Sequence, residues 1–121
     1  MTPEQKQIAI AEFEGFIEDE PWLDGRRCWI RKDKPAHIGY EESDIPPYLT
    51  SRDAICGAVA RLDGDKKRVF SHMLRDIVFG IKPEAGISHI VDIRAEEITN
   101  MLLATAAQLA DALLLTLGYE I

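Results

Sequence analysis

Apolar residues return with a helical period at the start of the chain: Ala9, Ile10, Phe13 and Ile17 fall on one side of a helix wheel. The punctuation agrees, because Thr2 and Gln5 make a Thr-x-x-Gln capping box, Pro3 suits a first turn and Gly15 follows a last one. A helix is therefore expected over about 3–14. A second apolar stripe, Ile55, Ala58, Val59 and Leu62, lies behind a cap at Thr50 or Ser51. A third helix is expected from Asp65 to Phe79, with Val69, Phe70, Met73, Leu74 and Ile77 inward and Gly80 as its stop.

Between the first two helices the pattern changes. Residues 18–27, EDEPWLDGRR, carry acids, Pro21 and Gly25 and read as an irregular connection. RCWIR (27–31) has strand composition, and after the turn-like KDKP the stretch AHIGY (36–40) is its expected hairpin partner. Pro46 and Pro47 close this region, since neither donates to a ladder. Farther on, ISHIVDI (87–93) fits a strand or a helix start, and RAEEITNML (94–102) has helical composition.

The last segment, LLATAAQLADALLLTLG (102–118), is dense in leucine. A membrane span needs about 20 apolar residues, and Gln108 and Asp111 would lie inside this one, so lipid is not its expected surroundings. Thr105 and Gln108 form a second capping box and Gly118 is placed as the residue past the end, giving a helix over about 106–117. Leu109, Leu113 and Leu117 share a face with Ala106 and Ala110, while Leu115 falls between Gln108 and Asp111 on the polar side. A leucine there is a candidate contact residue.

With 121 residues the chain fits one domain, 1–121, which buries roughly two thirds of the surface of its unfolded form. The expected fold class is α+β, or an α/β layered sandwich, with about four helices packed on a small sheet or hairpin. A net charge of -7 disfavours direct nucleic-acid binding. Cys28 and Cys56 have no metal-ligand spacing and read as buried thiols of a reducing compartment. The N-terminal segment lacks the basic leader and apolar run of a secretory signal.

Two blocks, with support from the opening residues, carry a family resemblance. IPPYLTSRDAI (45–55) is similar to a Leu-Pro-Asp-Tyr block followed by Leu-Asn-Ala-Met in small tailed-phage and prophage proteins. ATAAQLADALLLTLG (104–118) resembles their closing block, and MTPEQKQIAIAE with Gly15-Phe16 resembles their start. These proteins are grouped under the phage ABA sandwich domain. The resemblance implies an α/β layered fold and a phage origin, and it carries no activity or catalytic residues. Here Pro47 stands for the usual Asp, Asp53 for Asn and Leu115 for Arg; the last exchange adds an apolar contact to a surface position.

No catalytic or metal constellation stands out. His37, His72 and His89 lie far apart, Ser51 is explained as a cap, and Glu41, Glu42 and Asp44 read as a solvated run beside a proline turn. No cofactor is implied. Two charged groupings remain. The acidic segment Glu12, Glu14, Glu18, Asp19, Glu20 and Asp24, followed at once by Arg26 and Arg27, can enter a basic groove on a host protein. Arg68, His72 and Arg75 form a row that can grip a phosphate, the basis of a nucleotide-sequestering alternative. A homo-oligomer joined through Leu115 is the third reading. The expectation is a phage-encoded protein of the host cytoplasm that acts by binding rather than catalysis, without membrane or direct nucleic-acid partners.

Overall fold

The computed structural model, which describes residues 1–35, 37–79 and 102–121, opens on the helix that the Thr2 box predicts. Helix α1 runs Pro3–Phe13; Thr2 Oγ1 accepts the Gln5 N–H at 3.1 Å and Gln5 Oε1 accepts the Thr2 N–H at 2.9 Å. Glu14 caps its end, and Gly15, at φ +98°, reverses the chain. That reversal makes room for strand β1, Phe16–Asp19, which the helix wheel did not separate from α1. Ile17 accordingly belongs to the sheet, is 40% exposed and faces Ile30, so it is no part of the α1 core face.

Strand β2, Cys28–Arg31, pairs antiparallel with β1, placing Phe16 opposite Arg31 and Asp19 opposite Cys28. The predicted pairing of RCWIR with AHIGY is corrected: on that side the ladder reduces to one bridge, Trp29 with Tyr40. The Ile38 N–H is taken up in a turn by Pro35 O at 3.0 Å, and the pairing is confined to two reciprocal bonds, the Tyr40 N–H to Trp29 O at 2.7 Å and the Trp29 N–H to Tyr40 O at 2.9 Å. The Phe16 and Tyr40 rings are nearly perpendicular with centroids 5.9 Å apart, and the Arg31 guanidinium lies 4.7 Å from the Phe16 centroid.

A 3-10 turn, Glu42–Asp44, leads to Pro46-Pro47-Tyr48. Tyr48 is fully buried and latches two regions together: its N–H donates to Gln7 Oε1 at 3.1 Å, and its hydroxyl donates to Glu14 Oε1 at 2.7 Å. Burial, and then the bond to Glu14, hold this phenol far above its ordinary range. Arg61 closes the latch on Glu14 at 2.9 Å.

Helix α2, Arg52–Val59, is capped by Ser51 and buries Ile55, Ala58 and Val59, with Leu62 buried just beyond it. Helix α3 spans Gly64–Phe79 and buries Phe70, Met73 and Leu74, while Val69 and Ile77 are half-buried. Cys28 is buried, but Cys56 is only half-buried, against the expectation for both. Gly80 and the stretches 87–93 and 94–101 lie outside the described residues.

Helix α4, Ala106–Thr116, has the predicted capping box, with Thr105 Oγ1 accepting the Gln108 N–H at 3.2 Å. Gly118, at φ +95°, completes its end: its N–H donates to Leu115 O at 3.1 Å and the Tyr119 N–H to Leu114 O at 3.0 Å. The wheel underestimates how far α4 is covered. Ala106, Leu109, Ala110, Ala112, Leu113, Leu114 and Thr116 are all buried, because α1, α2 and α3 each pack on it. A helix apolar around most of its girth belongs inside a fold. Leu115, expected on the polar face, is half-buried and packs against the core, while Leu117, expected inward, is also only half-buried.

Among the described residues four helices thus pack on a two-stranded antiparallel sheet, an α+β fold. No helix among them is long and apolar enough to cross a membrane. Leu113→Ala should lower unfolding stability by about 2–5 kcal/mol in urea titrations, and Leu115→Ala by less than half as much. Equal losses would contradict the burial order of the two faces.

Candidate functional site

The connection between β1 and β2 folds back on itself, bringing Arg26 and Arg27 against carboxylates from distant parts of the chain. Arg27 makes a two-pronged contact with Glu18 of β1, Nε to Oε2 at 2.7 Å and Nη2 to Oε1 at 3.0 Å. Its Nη1 donates to Glu4 of α1 at 3.1 Å and lies 3.9 Å from Glu42 of the 3-10 turn. The guanidinium rests 5.1 Å from the centroid of the Trp29 ring, whose buried Nε1–H has no hydrogen-bond partner among the described residues. One cation therefore ties α1, the sheet and the 3-10 turn to one another.

Arg26 repeats the arrangement on the outer side. Its Nε donates to Asp24 Oδ2 at 2.6 Å, its Nη1 to Glu41 Oε1 at 2.5 Å, and the guanidinium lies 5.0 Å from the Trp22 centroid. Asp44 Oδ2 accepts the Glu41 N–H at 2.8 Å, which holds Glu41 at the mouth of the cleft. Trp22, Arg26, Arg27, Glu41, Glu42 and Ser43 line a cleft of about 260 Å³. Trp22 lines this cleft, and Trp29 lies buried beneath Arg27.

Five carboxylates, Glu4, Glu18, Asp24, Glu41 and Glu42, surround two guanidiniums, so the face keeps a surplus of three negative charges. The Arg27 hydrogen bond holds the Glu18 carboxyl below its ordinary value, and the Arg26 backbone N–H, then its side chain, does the same for Asp24. Both arginines are correspondingly raised, by Glu18 and by Asp24. Exposed ion pairs are each worth about 0–1 kcal/mol. Their larger effect here is to fix where the surplus charge stands.

The expected acidic segment is only partly assembled. Glu18 and Asp24 join the face; Asp19 and Glu20 are exposed beside it, and Glu12 is exposed on α1. Glu14 is turned inward to Tyr48 and Arg61, its side chain only 13% exposed, and is a fold contact. Leu115 lies on α4, half-covered. In the basic row, Arg68 is exposed and His72 is half-buried, its shielded Nδ1 without a partner among the described residues. Arg75 Nη2 lies 3.7 Å from Asp76, a buried carboxylate of the same helix that opposes an incoming phosphate.

Sequence reading missed Trp22, Arg26, Arg27, Glu4, Glu41 and Glu42 as one site. The signal was present in part, since two arginines follow the acidic run at once and Glu41 and Glu42 were noticed as a charged pair. Their meeting depends on the β1–β2 register. Comparison with family models, characterised proteins and solved structures finds no match to this chain.

Because Glu18 titrates below its ordinary 4.5, its pair with Arg27 stabilises the fold above that value, and the contribution is lost as pH falls through the lowered value. Glu18→Gln should cost less than about 1 kcal/mol at neutral pH. It should also flatten the acid limb of a melting-temperature series taken down through the carboxylate range. An acid limb as steep as that of the unaltered protein would contradict the Glu18 assignment.

Proposed function

We propose that this chain is a phage-encoded binding protein of the host cytoplasm, which presents its carboxylate face to a basic surface on a host protein. The observation that carries the reading is the surplus of three negative charges among the five carboxylates paired with Arg26 and Arg27, two residues that line one cleft. Fixed charges of one sign attract a complementary patch, raise the rate of encounter and reject partners of like charge. A groove built to hold nucleic acid has the sign and spread of charge that this face complements, so a nucleic-acid-handling or defence complex is the partner class that fits best. The phage origin rests on the resemblance of residues 104–118 and 45–55 to phage proteins. On this reading the protein works by occupying a site rather than by catalysis.

The nucleotide-sequestering reading has less support, because Asp76 lies beside Arg75. Oligomerisation through Leu115 is weakened likewise, since that side chain already packs on the core.

Affinity capture from bacterial lysate with the unaltered protein and with a Glu4→Gln, Glu41→Gln, Glu42→Gln variant tests the proposal. A partner should be retained at near-stoichiometric level by the former and at least tenfold less by the latter, with retention falling as salt rises past the range where surface charges are screened. Equal retention by both proteins, or no stoichiometric partner, would overturn it.

A further inference from the structure

The segment that carries Arg26 also carries Leu23, whose side chain is fully exposed at 110% of its reference area. An outward leucine in a mobile loop would mean little, but hydrogen bonds close the turn from Trp22 to Arg26 around it. The Gly25 N–H donates to Trp22 O at 2.8 Å and the Trp22 N–H to Arg26 O at 3.0 Å, so Leu23 stands at the tip of a closed turn. Gly25, at φ +85°, takes a conformation that side chains rarely adopt. Asp24 Oδ1 accepts the Arg26 N–H at 3.1 Å while its Oδ2 holds the Arg26 Nε. Beneath the turn, the Trp22 ring lies so close to Gly39 that a Cβ there would fall 3.1 Å from Cζ2.

We propose that Leu23 is a preformed anchor that enters an apolar pocket on a partner protein, a pocket bordered by lysines and arginines. The proposal rests on the reading of the acidic face and specifies its contact. A rigid tip loses little conformational freedom on docking, so the burial of the leucine is largely retained as affinity. Asp24 follows Leu23 in the turn and shares Arg26 with Glu41, and the exposed Asp19 and Glu20 precede Leu23 in the chain. An exposed leucine flanked along the chain by carboxylates calls for an apolar pocket with positive charge beside it. The same carboxylates disfavour an anionic membrane and a second copy of this chain.

The test places p-benzoylphenylalanine at position 23 of the full chain and irradiates it in bacterial lysate, with the same group at exposed Ala107 of α4 as control. The adducted protein is identified, purified and titrated against the unaltered chain, Leu23→Asp, Leu23→Met and Glu41→Gln with Glu42→Gln. One dominant adduct should form at position 23, at a point inside an apolar pocket flanked by Lys and Arg. Its Kd should rise at least tenfold for Leu23→Asp, stay within threefold for Leu23→Met, and rise for the glutamine variant, with melting temperatures unchanged by either Leu23 substitution. Adducts matching those of the Ala107 control, or an unchanged Kd with Leu23→Asp, would overturn the anchor. If the glutamine variant alone weakens binding, the acidic face stands and the anchor falls; if neither variant weakens it, both readings fall.

Discussion

The burial of α4 is the constraint on which the other parts depend. A helix with so many apolar side chains around its circumference can be covered only by neighbours on several sides, and α1, α2 and α3 supply them. Even its least apolar strip is used: Lys6 of α1 reaches Asp111 at 2.8 Å, and both side chains are less than a third exposed. Arg52, at the start of α2, donates to the carbonyls of Leu102 and Ala104 just before α4 begins. Once α1 is seated on α4, its buried Ala9, Ile10 and Ala11 set its direction, and Gly15 sends the chain into β1 at a defined angle.

The charged face follows from that geometry. Glu4 comes from the start of α1, Glu18 from β1, and Glu41 and Glu42 from the segment that Tyr48 pins to Gln7 and Glu14. Arg26 and Arg27 lie where these meet. Five carboxylates in free solution would separate; here the fold brings them together and two guanidiniums stacked near tryptophans offset part of the repulsion. What remains is a directional negative field on a frame that owes little of its stability to the ion pairs themselves.

Much of the frame was legible from residue order. The capping boxes Thr2/Gln5 and Thr105/Gln108, the Ser51 cap and the stop at Gly118 act over three or four residues, so local sequence is enough to place them. What escaped reading was set by distance along the chain. Four residues of β1 carry too little pattern to stand out beside a helix, and β2 took its ladder from β1, keeping one bridge to AHIGY, through contacts no local rule contains. Glu14 reads like any other acid of its run, yet it serves Tyr48 and Arg61, residues more than thirty positions away. The site was half-visible for the same reason: Arg26 and Arg27 could be seen beside Asp24, but not beside Glu41 and Glu42.

Hydrogen exchange of the free protein, followed amide by amide, tests the dependence on α4 most directly. The amides from Leu109 to Thr116 should exchange last among the described elements and only with global unfolding, since each neighbour must leave before they are exposed. If they exchange earlier than those of α1 or α3, the terminal helix is a late addition to an independent body, and the frame proposed for the charged face does not exist.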